Sequence, residues 1–104
     1  MSKVRVAKII DIKKGKAKAV KVAGEDIAIY HTEDDQWFAT AEICTHEYCN
    51  LAQDGGKLEG YEIECDCHGS KFDIRNGKVL LPPAFEDLKT FKVTIVGKDV
   101  FVES

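Results

Sequence analysis

At 104 residues the chain has room for one domain around one core and is too short for two. It is 44% hydrophobic and 32% charged with a net charge of −3, the balance of a globular protein, and it lacks the basic stripe expected of a nucleic-acid surface. Its apolar runs are four residues or fewer, such as Val79-Leu80-Leu81, which excludes a transmembrane helix.

The pattern is one of short strands at short spacing with turn residues between them, and it predicts a small all-β fold. Val4 to Ile10 reads as the first strand. Charges at Arg5, Lys8 and Asp11 interrupt any apolar stretch there, so the N-terminus does not read as a secretory signal, and a cytoplasmic protein is expected. Lys14-Gly15-Lys16 breaks the strand, and Ala17 to Val22 alternates small apolar residues with lysines. Ala23 to Asp26 is a turn, Ile27 to Tyr30 a strand, Glu33-Asp34-Asp35 a second turn, and Trp37 to Thr40 a strand. Trp37 and Phe38 are expected in the core. His31, at the end of a strand beside a turn, is expected on the solvated surface.

Between Ala41 and Asp73 the character changes. Two loops rich in cysteine and histidine, CTHEYC from Cys44 to Cys49 and CDCHGS from Cys65 to Ser70, flank a short hairpin of Lys57 to Glu59, a turn at Gly60, and Tyr61 to Glu64. Asn76-Gly77 is a tight-turn signal. Pro82-Pro83 sets an extended connection. Leu88 to Val96 alternates, with Phe91, Val93 and Ile95 on one face, and Gly97-Lys98-Asp99 turns the chain into Val100 to Val102. Helix signals are limited to single turns at Ala41-Glu42 and Phe85-Glu86-Asp87.

All four cysteines and two of the three histidines fall in the two loops. Cys44 and His46 are two apart, Cys65 and His68 three apart, and the 18 residues between His46 and Cys65 leave room for one hairpin to bring the loops together. Three readings compete. Buried structural cysteines fit poorly in loops so polar and charged. A Cys₂His₂ zinc site usually pairs like ligands within one loop, which a C-x-H pair does not do. A two-iron, two-sulfide cluster with mixed ligands uses two thiolates on one iron and two imidazoles on the other.

The paired motifs Cys44-x-His46 and Cys65-x-x-His68, with the strings CTH and CHGS, resemble the Rieske family. The likeness extends through LEGYEIEC and SKFDIRNGKVLLPPAFEDLKTFKV to the closing strands, and the chain is similar to the small ferredoxins that serve ring-hydroxylating oxygenases. The resemblance implies an antiparallel sandwich or barrel over residues 1–104, with a cluster-binding region at about 42–85 and its hairpins at one end. It implies one [2Fe-2S] cluster, with Cys44 and Cys65 on the buried iron and His46 and His68 on the outer one. Two ferric ions, two sulfides and two thiolates sum to zero formal charge, so an added electron is resisted less than in an all-thiolate cluster.

Cys49 and Cys67 match positions that form a loop-tying disulfide in high-potential Rieske proteins, so a ferredoxin body with a disulfide-braced cluster site is implied. Ser70 matches a hydroxyl donor of that branch. Phe72 stands where that branch has a tyrosine, and Asp66 where it commonly has a proline. One donor fewer and one carboxylate more imply a lower potential than the respiratory proteins have. Pro82-Pro83 matches a third loop that shields the cluster. Glu42, Glu47, Asp54, Glu59, Glu62, Glu64 and Asp66 are expected as a solvated acidic face that steers a basic patch on a redox partner.

After two histidines are assigned to a cluster, only His31 remains, which is too few for the two-histidine, one-carboxylate iron site of an oxygenase. No nucleotide-binding fingerprint is present. The expectation is a monomeric one-electron carrier, not an enzyme, passing electrons from a separate reductase to a terminal oxygenase, with no nucleic-acid or membrane partner. The alternatives are a small Rieske subunit of another redox enzyme and a zinc-stabilised β-module that binds a protein.

Overall fold

The computed structural model describes residues 3–43, 49–52, 55–65, 69–82 and 86–103. In chain order the strands are β1 (Lys3–Lys8), β2 (Lys16–Val22), β3 (Glu25–His31), β4 (Trp37–Ala41), β5 (Leu58–Glu59), β6 (Glu62–Glu64), β7 (Lys71–Asp73), β8 (Val79–Leu81), β9 (Thr90–Val96) and β10 (Asp99–Glu103). All pairings are antiparallel. Six strands form one sheet in the order β1-β10-β9-β4-β3-β2, whose outer strands β1 and β2 approach each other, so the sheet nearly closes into a barrel. The other four form the sheet β5-β6-β7-β8.

Local chemistry sets the strand ends. β1 stops at Lys8, earlier than the alternation predicts, because Ile9 to Asp11 form a single 3₁₀ turn. The Asp11 carboxylate accepts the Lys8 amide N–H at 2.9 Å, and Ile9 N–H donates to the Lys98 carbonyl at 2.9 Å, which locks the turn to the β9–β10 hairpin. Ala23 and Gly24 take φ of 51° and 84°, the left-handed pair that lets a two-residue hairpin follow the twist of β2 and β3. Ala41 belongs to β4 and Glu42 to a bend, so the helical turn expected there does not form. Glu86 and Asp87 are not helical either, and Phe85 lies outside the described residues.

Buried side chains fall into two clusters rather than the single core expected. Inside the barrel pack Ala7, Ile12, Val22, Ile27, Ile29, Ala39, Phe91, Val100 and Val102. Against the four-stranded sheet pack Ala17, Ala28, Tyr30, Leu51, Ala52, Ile63, Cys65, Phe72, Ile74 and Leu88. β3 is the common wall: Ile27 and Ile29 face one cluster, Ala28 and Tyr30 the other. This explains why β3 is a continuous apolar run, whereas β2 alternates. Trp37 packs on the first cluster and Phe38 on the second, as expected. On β9, Phe91 is buried and Val93 partly so, but Ile95, two residues from the Gly97 turn, is exposed.

His31 is not a surface residue. It is only 4% exposed. Its Nδ1–H donates to the Ile12 carbonyl at 2.8 Å, its Nε2 meets the Asp35 carboxylate at 2.6 Å, and its ring stacks on Trp37 at 3.9 Å between centroids. Strand-end position suggested exposure, but a carbonyl, a carboxylate and an indole from three segments close over the ring.

Two substitutions test these packing arguments. Ile27→Ala removes a fully buried side chain from the barrel and is expected to cost about 2–5 kcal/mol in chemical unfolding. Gly77 has φ of +78°, and a Cβ there would lie 2.0 Å from the Leu88 carbonyl oxygen. Gly77→Ala is therefore expected to lower the melting temperature more than Ala substitution at Gly97, where an added Cβ meets no atom within 4 Å.

Candidate metal centre

Two necks hold the cysteine-histidine loops. The first loop leaves β4 and is pinched at its base by an antiparallel bridge between Ile43 and Asn50. Leu51 N–H donates to the Glu42 carbonyl at 2.9 Å, and Glu42 N–H to the Asp26 carbonyl at 3.0 Å, which ties the neck to β3. Leu51 and Ala52 then dive into the cluster under the four-stranded sheet. The second loop joins β6 to β7. Cys65 N–H donates to the Ser70 carbonyl at 2.7 Å, and Gly69 N–H returns to the Cys65 carbonyl at 3.0 Å. Gly69 takes φ of +78°, so this tight reversal suits glycine.

Among the expected site residues, Cys65 is 1% exposed at the neck of the second loop, and Ser70 and Phe72 are fully buried beside it. Phe72 pairs with Ile63 across β6 and β7. Cys49, at the end of the first loop, packs on the same cluster as Cys65 and is disulfide-bonded. A single buried cluster therefore anchors both loops. Cys44, His46, Glu47, Asp54, Asp66, Cys67, His68 and Pro83 lie outside the described residues.

The setting fits a mixed-ligand iron–sulfur group. A thiolate as buried as Cys65 is costly among apolar side chains unless a cation neutralises it. A [2Fe-2S] core held by two thiolates and two imidazoles has no net formal charge when oxidised, so an apolar base suits it. The neighbouring Ile63, Phe72 and Leu51 supply that base.

Polar groups below the loops are satisfied in a chain. Tyr30 O–H donates to Thr40 Oγ1 at 2.9 Å, and Thr40 O–H donates to the Ala41 carbonyl at 2.9 Å. Burial, opposed in part by the Thr40 bond and reinforced by Glu42, holds the Tyr30 hydroxyl far above the usual phenol range. Glu42 departs from expectation. It is 4% exposed, not part of a solvated acidic face. Burial raises its carboxyl pKa, the Asp26 charge raises it further, and a hydrogen bond from the Ala52 amide pulls it down. Glu59 and Glu62 are exposed, as expected, and Glu64 is half-buried.

Tyr61, which the sequence did not single out, ties this sheet to the barrel. Its hydroxyl donates to Asp34 in the β3–β4 turn, and Thr32 donates to the same carboxylate. These two bonds, Thr32's the larger, hold the Asp34 carboxyl below its usual range. The Tyr61 ring meets Phe38 edge-on at 5.8 Å, and the Arg75 guanidinium lies 4.6 Å from the ring centroid. Arg75 grips Asp73 through Nε at 3.0 Å and a terminal nitrogen at 2.8 Å. Only the acidic turn at Glu33-Asp34-Asp35 and the tyrosine at the hairpin tip hinted at this junction.

A family model described as Rieske [2Fe-2S] domain matches residues 2–92. The biphenyl dioxygenase ferredoxin subunit of Pseudomonas sp. (strain KKS102) is 36% identical over 103 residues, covering 99% of this chain and 93% of that protein. The ferredoxin component of the naphthalene 1,2-dioxygenase/salicylate 5-hydroxylase systems of Ralstonia sp is 40% identical over 93 residues, covering 89% and 86%. A chain from the complex of reduced oxygenase and oxidized ferredoxin in carbazole 1,9a-dioxygenase superposes with a TM-score of 0.87 at 31% identity, covering 96% of this chain and 91% of that one. No helix of the described residues is long and apolar enough to cross a membrane.

Arg75 holds the Asp73 carboxyl below its usual range, chiefly through its side-chain hydrogen bonds. A folded-state value below the unfolded one stabilises the protein above the unfolded carboxylate pKa of about 4, and that contribution is lost as pH falls through the folded value. Asp73→Asn is expected to be less stable at neutral pH, with the two stability curves converging in acid. Asp34 and Asp35 are also held low, so both proteins still weaken in acid. Urea unfolding at a series of pH values checks this. Parallel curves would contradict it.

Proposed function

Because this chain belongs to the Rieske [2Fe-2S] domain family, we propose that its two necked loops hold the cluster through Cys44, His46, Cys65 and His68. The chain carries one [2Fe-2S] cluster and is an electron-transfer protein, not an enzyme, with redox proteins as its partners. Cys44 and Cys65 take the inner iron, and His46 and His68 the outer one. Bound there, the cluster would supply one-electron redox chemistry. The observation that carries the ligand assignment is Cys65, buried at the neck of its loop and sharing one packed cluster with the end of the other loop.

Within this reading the described residues do four things. Cys65 is presented from a hydrogen-bonded reversal between β6 and β7, where it would hold the inner iron. Leu51, Ile63 and Phe72 keep water from the thiolate side. Ser70 supplies the buried hydroxyl that steadies the reduced state, and Phe72 supplies none. Cys49 bonds to Cys67 and braces the two loops against each other. The potential lies below that of respiratory Rieske proteins, lowered further by Asp66.

The donor is a separate reductase and the acceptor a terminal oxygenase. In support, the ferredoxins that this chain matches over nearly all of its length are named as parts of dioxygenase systems. The chain works as a monomeric carrier in the cytoplasm, a single unit over residues 1–104. It builds no mononuclear iron site of its own: two of the three histidines go to the cluster, and His31 is committed to Ile12 and Asp35.

Iron and acid-labile sulfide near two each per chain, and a rhombic electron-spin signal on reduction, are expected. His46→Ala and His68→Ala should lose both. A colourless protein with stoichiometric zinc would overturn the assignment. Ser70→Ala should keep the visible spectrum and lower the midpoint potential, since hydrogen bonds to cluster sulfur set that potential. An unchanged midpoint would remove Ser70 from the tuning role.

A further inference from the structure

The Asn76-Gly77 pair in the turn between β7 and β8 is also a reactive sequence. Glycine has no side chain to hinder its backbone nitrogen. Once that nitrogen gives up its proton, it can attack Cγ of the preceding asparagine. The bond from Gly77 N to Asn76 Cγ forms, the Cγ–Nδ2 bond breaks, and the side-chain nitrogen takes up the proton and leaves as ammonia. Water then opens the five-membered imide at either carbonyl. One opening gives aspartate. The other gives isoaspartate, in which the main chain runs through the side-chain carboxyl. Water is the one co-reactant, and nothing is oxidised or reduced. The chain's other asparagine, Asn50, precedes Leu51, whose branched side chain hinders the same attack.

In the folded protein the reacting groups are held. Gly77 is buried, and its N–H donates to the Asp73 carbonyl at 2.7 Å. Its own carbonyl accepts the Leu88 N–H at 2.7 Å, and the Leu88 backbone presses so close that a Cβ on Gly77 would lie 2.0 Å from the Leu88 carbonyl oxygen. Asp73 N–H donates to the Lys78 carbonyl at 2.9 Å and closes the loop. Asn76 is exposed, and its Oδ1 accepts the Lys78 N–H at 3.0 Å. That last bond polarises the side-chain carbonyl and by itself favours attack. The nucleophile decides the balance, because a buried N–H committed to a carbonyl cannot shed its proton to water without losing that bond. Leu88, with Phe72 and Ile74 on either side of Asp73, belongs to the cluster packed against the four-stranded sheet, so the lock on Gly77 is as strong as that packing. We infer that Asn76 is a self-modification site held shut by the folded β7–β8 hairpin, and that opening of this hairpin commits the chain to aspartate or isoaspartate at position 76. The change is covalent, so it records an opening even after the hairpin closes again. It needs no bound cluster and stands apart from the redox reading.

The test incubates the purified full chain in mildly alkaline buffer, with and without enough guanidinium chloride to unfold it. Peptide mass spectrometry, after chromatography that separates the asparagine, aspartate and isoaspartate forms, follows position 76 over time. Conversion in the folded protein is expected to be slower than in the unfolded chain by more than about tenfold, since it must wait for a local opening. Asn50, read in the same digests, should lag far behind Asn76 in guanidinium. Gly77→Ala is compared in guanidinium alone, where its effect on the turn is removed, and should slow conversion at Asn76 several-fold. Leu88→Ala thins the cover over the hairpin and should convert faster than wild type in native buffer. If that variant fails to fold, it converts at the guanidinium rate, which is the same direction. Equal rates in folded and unfolded wild type overturn the inference, because the hairpin then protects nothing. Absence of conversion at Asn76 in guanidinium overturns it as well, because the pair is then not reactive. Leu88→Ala converting at the wild-type rate in native buffer overturns the packed hairpin as the lock.

Discussion

β3 is buried on both faces, and the rest of the molecule is arranged around that fact. Ile27 and Ile29 close the barrel, while Ala28 and Tyr30 floor the second cluster. Alanine at 28 lets the second sheet approach, and Tyr30 fills the space beside it. A strand with two apolar faces has no solvated side, so both sheets must pack against it. The four-stranded sheet is too short to be stable by itself, with strands of two or three residues. It stands because β3 lends it a packed floor.

That floor also serves the chemistry. Leu51 from one loop and Cys65 from the other enter the same cluster, so the loops are held in mutual position by apolar packing as well as by their necks. The polar residues needed nearby are placed where a hydrogen bond satisfies them. Tyr30 O–H donates to Thr40, and Thr40 O–H to the Ala41 carbonyl at the foot of the first loop. Among the described residues, no buried side-chain nitrogen or oxygen lacks a partner. The junction of Tyr61 with Asp34, Phe38 and Arg75 holds the far end of the sheet to the barrel, so the site is fixed at both ends.

Where sequence reasoning failed, long-range partners were the cause. His31 looked exposed because its neighbours in the chain are a strand end and an acidic turn. It is buried because Ile12, nineteen residues earlier, presents a carbonyl to its Nδ1. Glu42 looked like one more surface acid, yet the neck that pairs Leu51 with its own carbonyl folds the chain over it. The exposed leucines of β8 were visible as an apolar run, but periodicity alone could not reveal a bulge, which is a property of two strands in register.

The sequence by itself determined the all-β class of fold, and its resemblance to the Rieske family implied the [2Fe-2S] chemistry. Two Cys-His pairs at those spacings, turn residues between short alternating strands, and the Asn76-Gly77 signal are local patterns, and local patterns follow from backbone sterics and ligand chemistry. Only the tertiary structure decided which face of each strand is covered, that two clusters share β3, that His31 and Glu42 are enclosed, and that Tyr61 joins the sheets. Those outcomes depend on contacts between residues far apart in the chain, whose energies are set by what happens to pack against them rather than by their sequence neighbours.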